Sequence, residues 1–209
     1  MRLTVFGATG GTGTQLVRQA LSAGDEVVAV VRDPARLQAA DAPGLRVVRA
    51  GLTDLAAIVP AVEGADAVVS ALGPRGTGPT TVYSDWAGSI LPAMAKTGVS
   101  RLVAVSAGGA FSDPGDGPLI RLLVKPLLQR AFRDGYADLR LMEDKIRASG
   151  NGWTIVRAPR LTNGPRRGRY RTAIDHQVGR SISRADLADA ILAAVADDRT
   201  AGHLLGAGY

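Results

Sequence analysis

Arg2-Leu-Thr-Val-Phe-Gly7-Ala-Thr-Gly10-Gly-Thr-Gly13 is the stretch on which the fold turns. Its first five residues read as a short hydrophobic strand, and an amphipathic run from Gln15 to Ala23 follows the glycines at once. The order strand, glycine-rich turn, helix is the physical recipe for binding a pyrophosphate. A glycine leaving the strand permits a tight turn. The next lets backbone approach a phosphate without a Cβ in the way, and the third lets the helix pack close to the sheet. Backbone N–H groups at the helix start then face the anion, and the helix dipole favours its charge. The turn from Gly7 through Thr9, Gly10, Gly11, Thr12 and Gly13 is therefore the expected cradle of a dinucleotide. Its spacing is GxxGxxG, not the GxGxxG of ordinary dinucleotide dehydrogenases.

Working outward, short β-rich runs alternate with helical stretches along the whole chain. Strands are expected at 2–6, 26–31, 45–49, 67–71, 102–106 and 153–157. Several are nearly continuous apolar runs, as in strands covered on both faces. Helices are expected at 12–23, 54–62, 80–97, 119–149 with a break, and 184–197. Ser183-Arg-Ala-Asp186 announces the last with an N-terminal capping pattern. Such alternation predicts an α/β fold, a Rossmann-type doubly wound parallel sheet. Gly- and Pro-rich loops at 73–79, 108–118 and 159–168 should follow the carboxyl ends of strands, where ligands bind. The 209 residues suffice for one sizeable core, so 1–209 is read as a single domain. Small cap elements are expected within about 108–149 and 159–182.

Composition narrows the class. Apolar residues make up 46% and charged residues 21%. No apolar run reaches the roughly 20 residues that span a bilayer. A strand entered by residue 2 leaves no room for a signal peptide. The chain has no cysteine, hence no disulfide framework, thiolate nucleophile or cysteine metal site. His176 and His203, the two histidines, have no metal-ligand spacing, so no metal is expected. These features together predict a cytoplasmic protein without a membrane partner. Net charge is +6, and of 25 basic residues only Lys96, Lys125 and Lys145 are lysine. The arginines read either as ordinary surface charge or as a basic mouth attracting a phosphate-rich ligand. Nucleic acid is not an expected partner, because aromatics total 4% and do not interleave with the basic residues.

Five further constellations carry chemistry. The second strand ends Val30-Val31-Arg32-Asp33, with Arg36 close behind. A guanidinium can clamp a 2′-phosphate and stack on adenine, which points to NADP(H). Asp33 keeps NAD(H) open as the less favoured choice, since a carboxylate here can accept from a ribose hydroxyl. Leu52, Thr53 and Asp54 either border the adenine pocket or start a helix, with Thr53 or Asp54 as its cap. Ala71-Leu72-Gly73 can bring backbone close to ribose and pyrophosphate, and Arg75 reaches ligand or solvent. Ser106 closes the fifth strand as a hydrogen-bonding hydroxyl or a strand-end cap. Beyond the sixth strand, the backbone of Ala158-Pro159-Arg160-Leu161 can bracket a nicotinamide ring.

Taken in order, Gly7–Gly13, Val31-Arg32-Asp33, Gly51–Asp54, Ala71–Gly73, Ser106 and Trp153–Pro159 resemble an atypical short-chain dehydrogenase/reductase. The branch they are most similar to holds NmrA-like and biliverdin reductase B/flavin reductase-like NAD(P)H-binding proteins. The resemblance covers nearly the whole chain, and implies coenzyme contacts at Gly7, Thr9, Gly10, Thr12, Gly13, Arg32, Arg36, Asp54 and Ser106. It also exposes departures. The wider superfamily uses a Tyr-x-x-x-Lys pair, with the lysine lowering the tyrosine pKa. The comparable tetrad here is Leu141-Met-Glu-Asp-Lys145, without the tyrosine. Biliverdin reductase B-like proteins carry a histidine near Arg160 and a serine near Ala107, and both are missing. Tyr136 reads as packing, and Glu143 as a solvated mid-helix charge before a group facing the cleft. Arg166, Arg167, Arg169 and Arg171, beside Tyr170, read as a solvated hairpin tip before an anion site.

The expected activity is an NADPH-dependent hydride transfer to a flat conjugated acceptor such as a flavin, quinone, tetrapyrrole or polyketide-like carbonyl compound. Ser106, Arg160 and Lys145 are the candidate catalytic residues. The alternatives are a non-catalytic NADP(H) sensor of the NmrA-like kind and a nicotinamide-dependent isomerase or dehydratase. A monomer or homodimer is expected. The apolar, basic stretch 119–132 can cover the active site or meet a second subunit.

Overall fold

Continuous apolar strands need cover on both faces, and the chain supplies it by placing a helix between most successive strands. The computed structural model describes residues 1–38, 40–112 and 117–209, with the side chains of Ile120 and Arg121 outside the description. The 113–116 part of the expected 108–118 loop also lies outside the described residues. β1 (Arg2–Phe6), β2 (Glu26–Val31), β3 (Leu45–Arg49), β4 (Ala67–Ser70), β5 (Arg101–Ala107) and β6 (Gly152–Ala158) are parallel, in the order β3-β2-β1-β4-β5-β6. That order reverses direction between β1 and β4, the switch point at which doubly wound sheets open a crevice.

The sheet is larger than the sequence predicts, and it is mixed. β7 (Arg160–Thr162) and β9 (Ser181–Ser183) form a separate two-stranded ribbon. β10 (His203–Gly208) joins β6 in parallel, and β8 (Arg171–Ile174) pairs antiparallel with β10 at the edge. Glycines hide β10 from a period-two reading. A Cβ on Gly206 would lie 2.1 Å from the His176 carbonyl oxygen, and one on Gly208 would lie 2.3 Å from that of Val178. These positions serve close chain packing, not alternating burial.

Helices α1 (Gly11–Ser22) and α6 (Arg184–Ala196) pack together on one face of the sheet, against Leu3, Val5, Val103 and Val156. On the other face, α2 (Leu55–Val62), α3 (Val82–Thr97) and α5 (Arg133–Arg147) cover Phe6, Val68, Ala104 and Ile155. The expected 119–149 helix is three pieces: a π-helical turn at Ile120–Val124, α4 (Lys125–Ala131), then α5. Leu119, Leu122, Leu123, Val124 and Leu127 stand exposed there, so these side chains do not cover the crevice. Among the described residues, no helix is long and apolar enough to cross a membrane.

The cap of α6 forms as its sequence predicts, with Ser183 Oγ accepting from the Asp186 N–H at 3.0 Å. Ser183 is buried, and the helix it starts backs the glycine turn. Ser183→Ala is expected to lower stability by about 1–2 kcal/mol. A urea unfolding midpoint equal to wild type would refute that role for the hydroxyl.

Candidate functional site

The glycine turn takes its shape from atoms that leave no room for a side chain. Gly7 sits at φ +79°, and a Cβ there would lie 2.6 Å from the Ala71 carbonyl carbon and oxygen. The Gly7 carbonyl accepts from the Gly10 N–H at 2.9 Å. Gly10 is the N-cap of α1 and, having no side chain, adds no capping bond. The first N–H groups of α1 are thus left for a ligand at the positive end of the helix dipole. Gly13 packs against the turn itself, and a Cβ there would lie 2.0 Å from the Gly7 carbonyl oxygen. A Cβ at the first or third glycine would push the turn off its neighbouring backbone, so the turn keeps its shape only without side chains there, which fits a dinucleotide whose diphosphate lies close to backbone.

A cleft of about 600 Å³ runs from this turn along the carboxyl ends of the strands. Its volume is within the range of small-molecule and cofactor sites. Gly7, Thr9, Gly10, Gly11, Thr12, Arg32, Arg36, Leu52, Ala71, Leu72, Gly73, Ser106 and Pro159 all line it. Arg75, Tyr83 and Arg184 line it too. Among the described residues, four arginines and one acid, Asp33, line the space, so its field favours an anionic ligand. Asp33 turns its carboxylate onto the Ala35 N–H at 3.2 Å, capping the short 3-10 turn Pro34–Arg36.

Five of the sequence candidates fall elsewhere. Gly13 is behind the turn, where it sets the helix–strand distance. Asp54 caps α2, its Oδ1 accepting from the Ala57 N–H at 3.2 Å, and Thr53 is exposed beside it; neither lines the cleft. Arg160 is exposed on β7, whose period-two alternation sends Leu161 into the cleft and Arg160 away from it. Lys145 is on the outer side of α5, where its Nζ donates to the Ser84 carbonyl at 3.2 Å. Leu141, the position compared with the missing tyrosine, is also exposed. A residue four positions along a helix shares its face. The 141/145 pair therefore points outward, because Leu139, Met142, Glu143 and Ile146 form the buried stripe.

Glu143 is the residue that the sequence reading places wrongly. It is 1% exposed, and its carboxylate receives Ser106 Oγ at 2.5 Å and Arg157 Nη2 at 2.7 Å. The signal was available, since Glu143 lies four residues after Leu139 and three before Ile146, within an apolar stripe. Arg157 stands beside Ser106 in the β5–β6 register, its guanidinium 3.6 Å from the Phe111 ring centroid. Tyr83, which no sequence pattern marks, lines the cleft from the start of α3. Burial, with Asp138 and Tyr136 adding to it, pushes its hydroxyl up to about 12, so it is a neutral donor at physiological pH. Asp138 also holds the first turn of α3, accepting from the N–H groups of Tyr83 and Ser84 at 2.8 and 3.0 Å. Tyr136 packs on Phe132, and a Cβ on Gly109 would lie 2.8 Å from its hydroxyl; burial raises that hydroxyl against the opposing pull of Arg140. The basic run ending at Arg171 docks on α6, where Asp189 takes Arg166 and Tyr170, and Asp186 takes the N–H groups of Arg167 and Gly168.

A family model described as NAD(P)H-binding matches residues 7–198. The chain belongs to that family. Its fold is shared with a wide-type short-chain dehydrogenase/reductase from Veillonella parvula solved in complex with NADP. The TM-score is 0.83 at 21% identity, over 100% of this chain and 94% of that one. Among curated proteins, an uncharacterized chloroplastic protein of Arabidopsis thaliana is 32% identical over 176 residues, 78% of this chain and 60% of its own length. The photosystem II assembly factor Ycf39 of Synechocystis is 34% identical over 106 residues, 49% of this chain and 32% of that protein. The chain thus spans between a third and three fifths of these relatives. The expected NAD(P)H-binding family and the fold class stand.

Proposed function

We propose that the protein is an NADPH-dependent reductase acting on a flat, conjugated small molecule such as a flavin, quinone, tetrapyrrole or polyketide-like carbonyl compound. The observation that carries this reading is the continuity of the site. One cleft joins a side-chain-free phosphate turn to Ser106 and Pro159 at the far strand ends, with Arg32 and Arg36 beside the turn. The α1 N–H groups and Arg184 suit the diphosphate, Arg32 and Arg36 a 2′-phosphate, and Leu52 the adenine edge. Ala71, Leu72 and Gly73 flank the middle of the nucleotide, and Pro159 and Leu161 present an apolar wall to a nicotinamide ring. When bound, the coenzyme supplies the hydride. The residues of the chain orient the two rings, exclude water and hold hydrogen bonds at the acceptor. Arg160 and Lys145, which face away from the cleft, have no part in this reading. Cytoplasmic location, action as a monomer or homodimer, and independence of nucleic acid complete the proposal.

A second reading has two observations behind it. Leu141 and Lys145 give no tyrosine–lysine pair, and the Synechocystis relative is described as an assembly factor, so a non-catalytic NADP(H) sensor is the alternative. Purified protein mixed with NADPH and a panel of flavins and quinones decides between them. The reductase reading expects loss of reduced-nicotinamide absorbance, well above the protein-free rate, with at least one acceptor. Tight coenzyme binding without any such acceleration favours the sensor.

A further inference from the structure

We infer that Glu143 is a positioning residue that makes Ser106 a hydrogen-bond acceptor toward the cleft, so that the ligand edge it meets must carry an N–H donor. This rests on the coenzyme-cleft reading above and deepens it. An ionised carboxylate only accepts hydrogen bonds, with about four lone-pair sites. All four of those on Glu143 are taken. Oε1 receives Ser106 Oγ at 2.5 Å and Arg157 Nε at 3.2 Å. Oε2 receives Arg157 Nη2 at 2.7 Å and Arg147 Nη2 at 3.1 Å. Ser106 has one hydroxyl hydrogen, and a carboxylate paired with two guanidiniums leaves it no direction but toward Oε1. What Ser106 offers the cleft is therefore its lone pairs.

The geometry makes this arrangement stiff. Ser106 and Arg157 are register partners on adjacent parallel strands, and α5 lays Glu143 across both. Glu143 is 1% and Ser106 4% exposed. Rotating the hydroxyl toward a ligand would leave a carboxylate lone pair unmatched where water does not reach, which costs more than the new bond returns. A carbonyl oxygen gaining negative charge thus finds no donor at Ser106. An amide or imide N–H finds a preset partner. Two groups of that chemistry can reach the far end of the cleft: the carboxamide amino group of the nicotinamide, and a ring N–H of the acceptor.

Paired binding measurements separate the two sources. One arm compares NADP⁺ with its 3-acetylpyridine analogue, in which a methyl replaces the amino group. The other compares riboflavin with N3-methylriboflavin on the protein saturated with NADP⁺. In one arm, the methyl ligand is expected to bind wild type about tenfold more weakly, the worth of one neutral hydrogen bond. Ser106→Ala should erase that discrimination, whereas Ser106→Thr, which keeps a hydroxyl, should retain it. Glu143→Gln frees the hydroxyl to turn and should reduce discrimination while coenzyme still binds; if it does not fold, the two Ser106 variants decide alone. Equal affinities in both arms on wild type, or discrimination that survives Ser106→Ala, overturns the assignment while leaving the cleft reading intact. Failure of wild type to bind NADP⁺ or NADPH overturns the cleft reading itself.

Discussion

Arg32→Ala is expected to weaken NADP⁺ binding by roughly 10- to 100-fold, the scale of one hydrogen-bonded charge contact. NAD⁺ binding should change by no more than about threefold. The expectation follows from where β2 ends. Parallel pairing of β2 with β1 carries the chain past the glycine turn, where the proposed coenzyme would place its adenine ribose, and Arg32 leaves the sheet there as an exposed cleft-lining side chain. Arg36 joins it from the end of the following 3-10 turn. An enzyme selecting NAD would aim an acid at the ribose hydroxyls, but Asp33 spends an oxygen on the Ala35 N–H and shapes the turn instead. Isothermal titration of wild type and variant with both coenzymes is the measurement. Because the contact is exposed, the NADP⁺ preference should also shrink as ionic strength rises. Equal losses for both coenzymes would refute the 2′-phosphate clamp.

Gly13→Ala is expected to lower stability by about 2–4 kcal/mol and to weaken coenzyme binding with it. In an exposed helix the same change would stabilise by about 1 kcal/mol, because alanine is the better helix former. The difference is the Gly7 carbonyl, 2.0 Å from where the new methyl must sit and itself held by the Gly10 N–H. Backbone clamped on both sides cannot yield cheaply, so α1 must move off the strand and take the anion-binding N–H groups with it. Gly11→Ala is the internal control. Its Cβ would meet the Arg184 side chain at 2.6 Å, a flexible group that can swing aside. That variant should stay within about 1 kcal/mol of wild type. Urea unfolding followed by circular dichroism tests both, and a Gly13→Ala midpoint at or above wild type would remove the packing argument.

The candidates that the structure gathers in the cleft are those made by neighbours in sequence. The glycine turn, Arg32 with Arg36, and Ala71–Gly73 each lie at the end of one strand, so a strand–turn–helix pattern locates them. Lys145 and Arg160 stand outside the cleft for one shared reason. A motif comparison assigns a residue type to a position, but the direction of the side chain follows the burial stripe of its own element. On α5 that stripe runs through Leu139, Met142 and Ile146, and it carries Glu143 inward as it turns Lys145 out. On β7, alternation does the same to Arg160.

Local patterning was enough for the six parallel strands, the capped α6 and the glycine turn, because each is written in the order of adjacent residues and their periodicity. The Ser106–Glu143–Arg157 network and the antiparallel β8 edge were beyond its reach. Their partners are 14 to 37 positions apart, and only the closing of the sheet brings them within hydrogen-bonding distance. The α5 stripe marks Glu143 for burial, but no local pattern says which groups meet it, because Ser106 and Arg157 look like ordinary strand-end residues until packing removes the water around them.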